Sequence, residues 1–286
     1  MRLDAFEILT DELDHPEGVA WGPDGRIWAG GEDGQIYAVT LNGVVDEVGS
    51  TGGGVLGVAI DARGRVYACD EGRAEVVRVD PAHDEVETYS TGLPERQMIL
   101  PNFAAFDPAG NLYVTDSGNS HADDGAIYRV EPGGATTVWS TALPRYPNGC
   151  CLNAEADNLY VAESHLPGVS RIPILADGSA GTPETVVELP GTVPDGIAFD
   201  ALGNLYVACY RPDRIYRVVP APGAKQKLEP EILAEDPTGE LLNAPTNVAF
   251  VGRELDRMVV ANVGEWHLAI ADVGAVGLPL FLPEIA

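Results

Sequence analysis

EGVAWGPDGRIWAG, residues 17–30, is the first of six copies of one phrase. The others are LGVAIDARGRVYAC (56–69), NFAAFDPAGNLYVT (102–115), NGCCLNAEADNLYVA (148–162), DGIAFDALGNLYVA (195–208) and NVAFVGRELDRMVVA (247–261). Each reads as an apolar strand, a turn rich in glycine or polar residues, and a second strand of the type L-Y-V-A. Most copies are followed by a third strand, as in GQIYAVT, AEVVRVD, GAIYRVE, GVSRIPI and DRIYRVV, and DEVETYS, TTVWST and ETVVEL read as more exposed fourth strands. The copies begin 39 to 52 residues apart, and four short antiparallel strands at that period are the mark of propeller blades. The expected fold is all-β: a six-bladed β-propeller with four antiparallel strands per blade, one domain over residues 1–286. The segment AFEILT belongs to no copy. It is expected to pair with the last blade and close the ring, removing an exposed edge.

Composition agrees with many short elements joined by turns: of 286 residues, 33 are glycine and 22 proline, while 45% are hydrophobic. The net charge of −27 argues against nucleic acid and anionic membranes as partners, because phosphate contacts need Lys and Arg. No apolar run is long enough to span a bilayer, and the first residues lack a basic segment followed by an apolar one. Cys69, Cys150, Cys151 and Cys209 show no paired spacing and read as buried free thiols, with Cys150 and Cys151 on opposite faces of one strand. These features together lead us to expect a cytoplasmic location.

The start of each inner strand faces the axis of a propeller. Down the six copies this position reads Glu17, Leu56, Asn102, Asn148, Asp195 and Asn247. Apolar residues would suit a packed core, yet five of the six carry side-chain oxygens. Carboxylates and amides converging without cysteine or histidine suit a hard cation: calcium first, with magnesium, manganese or zinc as other occupants. The competing reading is a polar channel filled with water.

The succession E-G at residue 17, P-N at 102, P-N-G at 148 and P-D-G at 195 resembles the SMP-30/gluconolactonase/LRE-like family of six-bladed, metal-dependent propellers. The resemblance covers nearly the whole chain. It implies that Glu17, Asn148 and Asp195 hold a divalent metal, with Asn102 beside it and contacting substrate. It also implies hydrolysis of a lactone, a small-molecule substrate, with Asp195 as ligand and candidate general base. One departure stands out. Sugar-lactone members carry R-x-N-D around the Asn102 position, and this chain has Leu100-Pro101-Asn102-Phe103. Arg96 and Arg145 are out of register, so Leu100, Phe103 and nearby Met98 point to a less polar substrate.

Loops after second strands and between blades return to the same face. They supply His165 and His267 as candidate acid or base, and Tyr210 and Trp266 as candidate pocket walls. His121 and His15 read as loop and channel-mouth residues, and His83 falls on an outer turn. The connection 234–245 reads as either a lid or a plain loop. No G-x-S-x-G, H-E-x-x-H, phosphate-loop or EF-hand motif is present.

Overall fold

The computed structural model describes residues 3–83, 85–219 and 228–285. Its strands form six four-stranded antiparallel sheets arranged as the blades of a propeller, with a two-stranded ribbon, Gly92–Leu93 with Arg96–Gln97, between blades two and three. The inner strands are Val19–Trp21, Val55–Ile60, Pro101–Phe106, Pro147–Leu152, Val193–Phe199 and Pro245–Val251. Phe6–Thr10 pairs antiparallel with His267–Ala271, so the N-terminal strand completes the sixth blade and closes the ring as expected. Second strands such as Val66–Asp70 and Leu112–Asp116 are wholly buried, whereas the outer strand Glu85–Ser90 is mostly exposed.

The repeated D-x-x-G turn explains why each copy folds as a hairpin. In blade two the Asp61 carboxylate accepts the amides of Arg63 and Arg65. Asp107 and Asp200 do the same for Ala109 and Asn111, and for Leu202 and Asn204. The turn needs a left-handed residue, supplied by Gly64, Gly110 and Gly203 with φ between 80° and 88°. In blade four that place falls to Ala156, at φ 52°.

The L-Y-V-A tyrosine joins blade to blade. Tyr67, Tyr160 and Tyr206 meet Phe106, Phe199 and Phe250 of the following inner strand edge to face, with centroids 4.9, 4.8 and 5.2 Å apart. Such pairs contribute about 1 kcal/mol each beyond their burial. The Tyr67 and Tyr206 hydroxyls donate to Asp61 and Asp200, so one aspartate serves both the turn and the seam. All four cysteines are buried and free, and Cys150 and Cys151 pack into different clusters on opposite faces of their strand.

Candidate functional site

Inner strands begin, second strands end and third strands begin on one face of the ring. The Pro-x dipeptides Pro16-Glu17, Pro101-Asn102, Pro147-Asn148, Pro194-Asp195 and Pro245-Thr246 all lie there. Strand register corrects the sixth member. Pro101 pairs with Asp116 and Phe103 with Thr115, with a bulge between; Pro245 pairs with Asn262 and Asn247 with Ala261, with the same bulge. Thr246 therefore occupies the mouth position, and Asn247 matches Gly18, Gly57, Phe103, Gly149 and Gly196 one step down the channel. Neighbouring inner strands approach closely at that level: a Cβ on Gly149 would lie 2.4 Å from the Asp195 carbonyl oxygen. Phe103 and Asn247 are the two side chains this level admits.

At three seams a hydroxyl ties the strand mouth to the preceding blade. Thr246 Oγ1 donates to the Glu17 carbonyl at 2.8 Å, Thr115 Oγ1 to the Asn148 carbonyl at 2.7 Å, and Ser164 Oγ to the Pro194 carbonyl at 2.7 Å. Ser164 has a second task. With its proton on Pro194, its oxygen accepts from Asn148 Nδ2 at 3.2 Å, which fixes the orientation of that amide. Asn148 Oδ1 is left buried with no hydrogen-bond partner.

Asn102, Asn148 and Asp195 are buried, while Glu17 keeps some exposure at the mouth. Burial, and then the neighbouring charge of Glu17, push the Asp195 carboxyl well above the usual range. Burial, followed by the charges of Glu71 and Glu32, pushes Glu17 up to about 8. A buried and a half-buried carboxyl beside an amide oxygen without a partner form a site short of positive charge, and hard oxygen donors of this kind fit a divalent cation such as calcium.

The remaining candidates divide. His165 is exposed on the rim and stacks on Tyr146 at 4.7 Å between centroids. Tyr146 went unnoticed in the sequence. Burial, then the charges of Glu17, Asp195 and Glu71, raise its phenol to about 12, so it borders the carboxyl pair. Its backbone is left-handed at φ 61°, as is His15 before Pro16 at φ 40°. His15 Nδ1 meets Asp14 at 2.9 Å and Glu32 at 3.2 Å, and its ring lies edge-on to the exposed Trp266. Tyr210 lines a rim cleft with Asp213, Glu235 and Asn243. Leu100 is half-buried, its amide held by Asp116.

Two expectations need correction, and one choice is settled. His267 is buried on the third strand of its blade, two strands from the axis, and its Nε2 faces the Leu241 carbonyl at 3.0 Å. That is an anchoring role, and the ring is not presented to the mouth. Met98 is packed in the core between blades two and three. Segment 234–245 is pinned: the Asp236 carboxylate accepts the amides of Thr238, Gly239, Leu241 and Leu242, and Leu242 is fully buried. A loop held at so many points is no free lid.

The profile of the SMP-30/Gluconolactonase/LRE-like region matches residues 15–263. The chain belongs to this family. Strictosidine synthase-like 6 from Arabidopsis thaliana is 26% identical over 215 residues, 68% of this chain and 56% of the relative. Lactonase drp35 from Staphylococcus haemolyticus is 27% identical over 172 residues, 55% of this chain and 51% of the relative. The chain thus spans about half the length of these curated relatives. A gluconolactonase from Xanthomonas campestris superposes with a TM-score of 0.77 at 19% identity, covering 93% of this chain and 89% of the other, a likeness of fold. Among the described residues, no helix of this SMP-30-family chain is long and apolar enough to cross a membrane.

Proposed function

We propose that the protein is a divalent-cation-dependent lactone hydrolase, with calcium held by Glu17, Asn148, Asp195 and Asn102. The observation that carries this reading is the partnerless, buried Asn148 Oδ1 beside the Glu17 and Asp195 carboxyls. Membership of the SMP-30/gluconolactonase family and the lactonase named among its relatives support the reaction class. When bound, the cation supplies Lewis-acid polarisation of an ester carbonyl and acidifies water.

The chain's own groups do the rest. Ser164 and Thr246 hold the mouth residues in place. Asn102 orients the substrate, and Asp195 accepts the proton of the attacking water. Tyr146 and His165 stand on the rim, where a phenol and an imidazole can donate hydrogen bonds to a leaving oxygen. Leu100 at the mouth, where sugar-lactone members carry arginine, suits a substrate less polar than a sugar acid.

The test is elemental analysis of protein purified without chelator, joined to a lactone panel with and without chelator. One calcium per chain, activity lost with chelator and restored by calcium, and loss of both metal and activity in Asp195→Ala are expected. Absence of metal after incubation with millimolar calcium overturns the reading. The strictosidine synthase-like relative favours a second reading, a non-hydrolytic step at the same site. A chain that binds calcium and turns over no lactone would move the conclusion there.

A further inference from the structure

The channel is closed on the face opposite the mouth. After the sixth blade the chain crosses that face as a strap. Leu278 donates its amide to the Phe199 carbonyl at 2.9 Å and Ala201 donates to the Val276 carbonyl at 2.8 Å, on blade five. At the other end Ala62 donates to the Pro283 carbonyl at 3.0 Å. The Arg65 guanidinium, paired with buried Asp61 at 2.7 Å, donates to the Ile285 carbonyl at 2.7 Å, on blade two. The strap therefore spans the channel from blade five to blade two.

Between the strap and the Phe103–Asn247 level lies a cavity of about 160 Å³. Inner-strand residues of all the blades line it, with Phe103, Ala105 and Ala198 among them, and Leu280 and Phe281 of the strap form its floor. Asn247 supplies the one side-chain amide in the wall, and it is engaged: Nδ2 donates to the Val19 carbonyl at 3.2 Å and Oδ1 accepts the Val248 amide at 2.8 Å. A water molecule needs two to four polar partners to be held, whereas an apolar cavity of roughly 150 Å³ takes up benzene or xenon. Among the described residues, positions 279–282 make no backbone hydrogen bond to the blades, and Leu280 is half exposed. The middle of the strap is thus the part of the chamber wall that is not bonded to the blades.

We propose that this chamber is a binding site for a small apolar molecule, an aromatic ring or short hydrocarbon of about six to eight carbon atoms, separate from the polar mouth. Toluene is the probe, titrated into the full chain by calorimetry and by ligand-observed NMR. Wild type is expected to bind one toluene saturably. Ala105→Phe, which fills the chamber, weakens binding at least tenfold with an unchanged fold by circular dichroism, and Ala198→Leu serves if that variant does not fold. Asp195→Ala, altered at the mouth, binds toluene like wild type. Three results overturn the proposal: no saturable binding by wild type, undiminished binding by the filled variant, or loss of binding in Asp195→Ala.

Discussion

Thr246 donates its hydroxyl to the main-chain carbonyl of Glu17 over 2.8 Å, joining residues 229 positions apart. This bond fastens the last blade to the first at the mouth, and it sets the backbone from which Glu17 projects. Replacing Thr246 with valine keeps the shape and removes the donor. The expected cost is about 1 kcal/mol of stability, read by denaturant unfolding, with calcium affinity lowered about tenfold by isothermal titration.

Stability should depend on pH in a way that calcium removes. The folded Glu17 carboxyl titrates at about 8, against 4.5 for an ordinary glutamate. Below 4.5 both states are protonated and the group contributes nothing. Between 4.5 and 8 the unfolded chain gives up its proton while the folded one keeps it, so stability falls as pH rises through this window. Melting curves in chelator should decline from pH 5 to 8, and millimolar calcium should flatten the decline. Asp195→Asn, which relieves the repulsion with Glu17, should melt higher than wild type in chelator and lose its response to calcium.

The two histidines proposed from sequence should separate cleanly. His267→Ala removes the anchor of the Leu241 segment and should cost about 2 kcal/mol, with kcat within twofold of wild type. His165→Ala alters an exposed ring stacked on Tyr146. Its melting temperature should stay within about a degree, while lactonase activity drops at least about tenfold.

Ala156 occupies a turn position where four other blades place glycine (Gly25, Gly64, Gly110 and Gly203), with φ at 52°. Ala156→Gly should raise stability by about 1 kcal/mol, seen as a higher urea midpoint with an unchanged slope. A loss of stability would show that the Ala156 methyl makes a packing contribution larger than its backbone strain.

The blades were legible because each repeat carries its own instructions. D-A-L-G-N-L-Y specifies a turn through an aspartate bonding to its own following amides, and a seam through the tyrosine, all within a few residues. Outer strands such as Val45–Ser50 and Glu229–Glu235 were harder to see, because a mostly exposed edge strand shows no apolar alternation. The mouth residues Glu17, Asn102, Asn148 and Asp195 stood out as polar residues at an axial repeat position. Asn247 was misread for Thr246 because N-V-A-F at 247 looks like N-F-A-A at 102, whereas Pro245-Thr246 holds the same place before the bulge as Pro101-Asn102.

From the sequence alone came the number of blades, the closing strand and the oxygen-bearing mouth, since all are encoded by local periodicity repeated six times. Tertiary structure decided what lies around them. Ser164 orients Asn148 and supports blade five, Tyr146 leans toward the carboxyls, and His267 turns away to hold Leu241. The strap that seals the apolar chamber joins Arg65 to Ile285, 220 residues apart. Contacts of that range depend on how the blades close on one another, and no local pattern records them.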